Sequence, residues 1–516
     1  MIRLYDISLP QGRDLPSYIQ NKYGNVSFSI YRRSIDARRG RPLRTVYTVD
    51  IMTERQDELL RRLKGEKYEL LSEEGYVCPQ KSGFSCRPVV VGFGPAGMFA
   101  ALLLAKAGAR PVVLERGKAV DERVKSVELF WNTGILDPES NVQFGEGGAG
   151  SFSDGKLNTL VKDKNYRGRF VLSTFVSHGA PEDIMYDAKP HIGTDLLRGC
   201  VKGIRQEIIA LGGEVIFGAR MTDILVSDNR VSSVKYVKNG EENILKTDAL
   251  FLGIGHSARD TFKMLAEKHI DMEAKPFSVG VRIEHPREMI NDSQYREHAP
   301  FLPAASYKLS HHTGAGRGVY TFCMCPGGYV VNASSEEKRL VTNGMSYRAR
   351  DGVNSNSAVL VGLTPADYGN SLFDGMYFQQ TLEEKAFLMG GGDFKAPCST
   401  VTTFLGRGKD TCAVSPTFSN GVRETDIAKV FPEYITESLK EGITAFGKKI
   451  QGFDTCGVIT AVESRSTCPV RIVRDENGVA SIGGLYPIGE GAGYAGGIMS
   501  AAMDGMKAVE NYCKYV

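Results

Sequence analysis

A chain of 516 residues is too long for one ordinary core and implies two or three domains. Its 42% apolar and 24% charged residues are those of a soluble folded protein, which excludes extensive disorder. A net charge of +3 excludes a surface that is basic throughout, while leaving room for a local patch.

The N-terminus, Met1-Ile-Arg-Leu-Tyr-Asp6, lacks the basic-then-apolar pattern of a signal peptide. Residues 2–8, 26–31, 43–51 and 68–71 read as strands, and 15–23 and 53–63 as helices, with Asp14 as a cap. That order, β-α-β-β-α-β, predicts a ferredoxin-like α+β domain over residues 1–72. Arg32, Arg33, Arg38, Arg39, Arg41 and Arg44 fall between its middle strands. They suit RNA, an acidic partner or an anionic tail; the preferred reading is a solvated loop, or one paired with acids on the next domain. Residues 73–86, with Gly75, Pro79 and Gly83, read as a linker.

A new domain starts at Arg87. In Arg87-Pro-Val-Val-Val-Gly92-Phe-Gly94-Pro95-Ala96-Gly97, a β-branched strand runs into G-x-G-x-x-G and then a helix. The uncharged run 88–105 is interrupted by these glycines and a proline, so no membrane span is expected. A second strand ends in Glu115 and Arg116. Gly92 permits the turn, Gly94 a close approach to a pyrophosphate, and Gly97 close helix–strand packing. The free N–H groups of the helix start favour phosphate, and Glu115 suits a ribose without a 2′-phosphate.

At the other end, Gly489-Glu490-Gly491-Ala-Gly493-Tyr-Ala-Gly496-Gly497-Ile498 leads into an Ala- and Met-rich helix. This resembles the closing segment of flavoproteins built like glutathione reductase and p-hydroxybenzoate hydroxylase. The resemblance implies FAD, with Glu490 on the ribityl hydroxyls and the helix start aimed at the flavin. Residues 247–261, through Gly253, Gly255 and Ala258, resemble the strand end that returns past FAD in that class, with Gly253-Ile254 where Ala-Thr is usual; a degenerate NAD(P)H fingerprint is the other reading. If NAD(P)H is the electron donor, it binds transiently, without a Rossmann domain of its own. The Gly-rich stretch 142–157 is expected to touch the flavin half of FAD through Gly147, Gly148, Gly150 and Ser151, with Lys156 and Leu157 alongside.

These motifs, with Ser34-Ile-Asp-Ala-Arg38, His191-Ile-Gly-Thr-Asp195, Tyr320-Thr-Phe-Cys-Met-Cys-Pro-Gly-Gly-Tyr329 and Val331-Asn-Ala-Ser-Ser335, resemble a bacterial family of FAD-dependent, NAD(FAD)-utilising dehydrogenases along essentially the whole chain. The resemblance implies an oxidoreductase distantly similar to geranylgeranyl reductases and names no substrate. The fold class expected is α/β: a discontinuous Rossmann-like FAD-binding domain (87–274 and 454–516), an inserted α+β substrate domain (275–453) and the N-terminal domain. Within the insert, 277–284 and 318–332 read as strands, and 379–390 and 424–449 as helices.

The ten cysteines read as reduced thiols of a cytoplasmic protein, and only Cys323 and Cys325 are close, so no metal or iron–sulfur cluster is expected. Candidate catalytic groups are Cys325, Cys323 and Tyr320, with His285, His311 and His312 as further proton carriers. Each of these is weighed against an ordinary structural role. Arg348 and Arg350 suit a carboxylate clamp. The leading functional expectation is an FAD oxidoreductase acting on a small or lipid-like molecule, the flavin carrying the hydride. The alternatives are an RNA-modifying flavoenzyme and a non-catalytic redox sensor.

Overall fold

The computed structural model describes residues 1–38, 40–72, 75–81, 83–408 and 410–515. The N-terminal region is a four-stranded antiparallel sheet in the order Ser27–Asp36, Arg44–Met52, Ile2–Pro10, Tyr68–Leu70. Helices Leu15–Tyr23 and Gln56–Arg62 cover one face and bury Leu4, Ile19, Val49, Ile51 and Leu59. Asp14 caps the first helix by accepting from the Ser17 amide.

The outer strand Ser27–Asp36 does not end in solvent. Arg33 donates its amide to Tyr186 O and accepts from the Ala188 amide, while its guanidinium forks onto Asp187 at 2.7 and 3.0 Å. The next layer thus covers part of a sheet edge that would otherwise invite pairing. Arg38 folds back on Asp36 and Arg44 donates to Ser8. Arg39 lies outside the described residues.

The second layer is a five-stranded parallel sheet. Its order is Leu485–Pro487, Leu250–Leu252, Val89–Val91, Val112–Glu115, Glu214–Phe217, so strands nearly 400 residues apart in the chain share one sheet. Helix Pro95–Lys106 is apolar all round, with every residue from Ala96 to Ala105 buried between the sheet and helices Thr194–Ala210 and Ile498–Tyr515. Gly97 makes that packing possible: a Cβ there would stand 1.9 Å from Gly92 O. A three-stranded antiparallel sheet, Ala219–Ser227, Arg230–Lys238 and Glu241–Lys246, follows the fifth strand.

The third layer is a seven-stranded sheet in the order Ser310–His312, Gly318–Cys325, Asn354–Leu363, Phe277–Pro286, Val458–Glu463, Ala396–Thr400, Val422–Glu424, antiparallel except for the last pair. Helices Asp374–Gly390 and Glu433–Gly447 pack against it, as does the hairpin Tyr329–Asn332 with Thr342–Met345.

Four sequence expectations are corrected here. Val458–Glu463 lies inside this sheet, so the middle region does not close at 453; a wholly buried apolar run reads alike in either sheet, and distant contacts decide its partner. Residues 318–332 split at Pro326-Gly327-Gly328 into strands of two different sheets. The expected helix 424–449 is a strand end, a 3-10 turn Ile427–Val430 and a helix that starts only after Pro432, whose ring cannot sit inside a helix. Cys412 and Cys456, read as free thiols, are joined as a disulfide.

Candidate functional site

Three turns meet at the carboxyl ends of the parallel strands, where ligands of open α/β sheets bind. They are Gly92–Ala96, Gly253–Ala258 and the approach to helix Ile498–Tyr515. Together they line a cavity of about 290 Å³, which runs from Glu115 and Arg116 at one end to Phe322, Cys323 and Glu463 on the seven-stranded sheet, with Asn343 of the adjoining hairpin and Ser466, at the other.

The glycines along it fall into two groups. Gly92 and Gly97 are required by the protein's own packing, since a Cβ on either would strike backbone within 2.3 Å. Gly94 and Gly496 are different. A Cβ on either meets nothing of the protein closer than 3.8 Å, and neither has a left-handed φ. The volume their missing side chains leave free belongs to the cavity, as expected where a ligand runs close to backbone. Gly94 is also the N-cap of Pro95–Lys106 and offers no side chain to the first-turn N–H groups, which are left for an anion.

Glu115 is buried, and both of its oxygens are engaged: Oε2 accepts from the Phe93 amide at 2.7 Å, and Oε1 from the Gly117 and Gly145 amides at 2.9 Å. It therefore ties the first turn to the Gly-rich stretch, with lone pairs left over for a hydroxyl ligand. Arg116 is spoken for by Glu139 and Asp260 and lies over the Phe144 ring.

The Gly-rich stretch is held from behind by Arg123, which is fully buried. Its guanidinium donates to the carbonyls of Asn141, Val142, Gly145, Glu146 and Gly148 at 2.7–3.3 Å. Burial pushes its pKa down to about 9, still charged at neutral pH. Gly148, Gly150 and Lys156 of the stretch line the cavity. Gly147, Ser151 and Leu157, expected there too, do not: the Gly147 amide donates to Phe93 O, the Ser151 hydroxyl to Glu146 O, and Leu157 sits in the core. Gly489 likewise packs against Ala96 and donates its amide to Asp504.

Of the remaining expected residues, Gly255, Glu490, Gly496, Gly497 and Ile498 line the cavity. Burial pushes the Glu490 carboxyl up to about 7. His256, also on the lining, is pushed by burial down to about 3 and is neutral. A network behind the second turn fixes its position. Glu383, entirely buried, pairs bidentately with both Arg259 and Arg465, and Arg465 also donates to the hydroxyls of Ser257 and Ser335. Burial alone would raise the Glu383 pKa, but the two arginines hold it below the usual carboxylate range.

At the sheet end, Cys323 lines the cavity while Cys325 is buried behind it and Tyr320 donates to Ser278 Oγ instead. The separation follows from a β-bulge: pairing with Asn354–Leu363 slips between Phe322 and Cys325, and Cys323 takes φ 43°. Fully buried Arg282 holds the bulge, donating to Cys323 O, Asn343 and Asn356 while paired with Glu463 at 2.7 Å. Lys156 reaches in from the Gly-rich stretch, its Nζ 3.0 Å from Asp154 and 4.0 Å from Cys325 Sγ. Arg350 and Arg348 do clamp carboxylates, but those of the chain's own Asp154 and Asp183. His285 donates through Nε2 to Phe453 O and His311 meets Glu441, both away from the cavity lining.

The sequence reading missed Ala219, Arg220 and Met221, Asn343, and Arg465 with Ser466, all on the lining. A signal existed for the first group. Asp228-Asn229 and Asn239-Gly240, each pair with left-handed φ, are hairpin turns flanked by alternating residues. Nothing local marks Asn343 or Arg465, whose partners lie far off in the chain.

Residues 276–466 match the family model described as "FAD-dependent protein, C-terminal domain-like". An uncharacterized protein of Clostridium beijerinckii is 47% identical over 496 residues, covering 93% of this chain and 91% of that one. The chain belongs to the same family as that protein, and its cofactor is FAD. Distant likenesses among solved structures include the flavin-dependent brominase Bmp2 (12% identity, TM-score 0.38, covering 84% of this chain and 80% of that one). Another is the glycerol-3-phosphate dehydrogenase from Bacillus halodurans complexed with FAD (9%, TM-score 0.37, 84% and 65%). Among the described residues, no helix is long and apolar enough to cross a membrane.

Proposed function

We propose that the chain is an FAD-dependent oxidoreductase, a dehydrogenase or reductase, whose small or lipid-like substrate binds where the cavity meets the seven-stranded sheet. One observation carries this reading: Gly94 and Gly496 are bare toward the cavity although neither packing nor φ requires a glycine there, and that cavity continues onto the seven-stranded sheet at Phe322 and Cys323, beside Asn343 of the hairpin packed on it. Domain interfaces of this kind are where substrate pockets form.

Gly92, Gly94, Pro95, Ala96, Glu115 and Arg116 would hold the nucleotide end of FAD. Gly148, Gly150, Lys156, Gly255, Glu490, Gly496, Gly497 and Ile498 would hold the remainder. When bound, FAD supplies two-electron redox chemistry. The chain's own part is to bind, orient and exclude water, with Lys156 as the proton-holding group nearest the sheet end and the Cys323 sulfur beside it. NAD(P)H would act as a transient donor, in keeping with one parallel sheet of this type among the described residues. The RNA reading has less to draw on, because Arg33, Arg38 and Arg44 are engaged within the chain.

The test is anaerobic. The yellow protein should bleach with dithionite or NAD(P)H, and one class of oxidised metabolite should restore the colour faster than oxygen does. Colour restored by nothing but oxygen would contradict an oxidoreductase and leave a sensor.

A further inference from the structure

The bulge in strand Gly318–Cys325 breaks the parity of the strand. Without it, Cys323 and Cys325 would share one face of the sheet at similar depth. With it, Cys323 is turned to the cavity and Cys325 is left behind it, fully buried. The two residues remain in contact, the Cys325 thiol donating to Cys323 O at 3.3 Å. A left-handed non-glycine residue costs energy and persists only where the surroundings enforce it, here through three hydrogen bonds and an ion pair of one buried arginine.

We propose that Cys323 and Cys325 form a redox-active dithiol that opens on the cofactor cavity and exchanges with a low-molecular-weight disulfide. Cys323 is the attacking sulfur, because it alone of the two faces the cavity. The neighbouring Cys325 thiol, then the charges of Lys156 and Arg282, hold its thiol below the ordinary range, while Cys325 is held above it by its neighbour Cys323 and by burial. That division suits a cavity-facing thiolate with a protonated resolving partner.

The step balances without any other reagent. The Cys323 thiolate attacks one sulfur of the disulfide, that S–S bond breaks, and the departing thiolate takes a proton from solvent. Cys325 then attacks the Cys323 sulfur; the second half leaves and takes up the Cys325 proton, with Lys156 Nζ, 4.0 Å from Cys325 Sγ, steadying the charge in between. Two cysteine thiols are oxidised to one disulfide, and the small disulfide is reduced to two thiols. The inference deepens the oxidoreductase reading and rests on it for its purpose, since a dithiol at this place would exchange electrons with the cofactor. The exchange itself needs no flavin.

The experiment uses the purified holoprotein and oxidised glutathione, read by peptide mapping under non-reducing conditions alongside the flavin absorbance. In the wild type, the peptide holding both residues should lose two hydrogens and carry no glutathione. In Cys325→Ser, glutathione should be trapped on Cys323. A wild-type map in which Cys323 is untouched, or keeps glutathione without closing onto Cys325, overturns the proposal whether or not the variant folds. With the flavin present, that outcome leaves the oxidoreductase reading standing. A closed Cys323–Cys325 bridge in colourless protein sinks that reading and not this one.

Discussion

Glu490 has a cavity-facing carboxyl that makes no hydrogen bond to another described residue, so its protonation is set mainly by burial. With an ordinary value of 4.5 raised to about 7, the folded state keeps a proton that the unfolded chain has lost between those pH values. The contribution to stability is therefore complete below about pH 4.5 and lost as pH rises through about 7. FAD-free wild type should show a melting temperature that falls across that window more steeply than in Glu490→Gln; parallel curves would refute the assignment. Gly97 makes a different demand. Gly97→Ala pushes a Cβ to 1.9 Å from Gly92 O, so the strand and helix must separate, at about 1–3 kcal/mol in a denaturant titration. Gly97 was legible in the sequence because its role is local, closing a G-x-G-x-x-G turn, whereas Glu490 stood out only through the resemblance of its segment to the closing segment of flavoproteins.

Between elements, two buried networks hold the site, and neither was legible. Arg123 sits in an ordinary amphipathic helix, Val120–Thr133, and nothing near it announces that its guanidinium collects five carbonyls of the stretch 141–148. Arg123→Met should leave those carbonyls unpaired, cost about 3 kcal/mol, and weaken FAD retention in gel filtration; unchanged retention would mean the stretch holds its shape alone. Glu383 joins Arg259 after the second turn to Arg465 after the strand Val458–Glu463. Glu383→Gln removes the charge both arginines share and should lower unfolding free energy by about 3–5 kcal/mol, measured in urea. The aim of Cys323 was hidden for the same reason. Strand parity puts residues 323 and 325 together, and only Arg282, with partners from several strands, reveals the bulge.

Across the whole molecule, repeated local signals were read well: alternation in the first 70 residues, the glycine turns, and the Ala-rich closing helix. Where the chain crosses from one sheet to another, sequence distance hides the partner, as with Val458–Glu463, which pairs with Phe277–Pro286. What joins the parallel sheet to the seven-stranded one is the cavity, built from residues within 91–156, 219–221, 253–261 and 488–501 against the seven-stranded sheet. The most direct measurement of the claim that it holds FAD is calorimetric titration of FAD into stripped wild-type protein and into Gly94→Val. The substitution places its side chain where no protein atom lies closer than 3.8 Å to the Cβ, so the melting temperature should hold while the ligand's space is taken. One FAD per chain in the wild type and at least roughly tenfold weaker binding in a folded Gly94→Val are expected, that tenfold corresponding to about 1.4 kcal/mol. No binding to the wild type, or equal binding to both, would contradict the account.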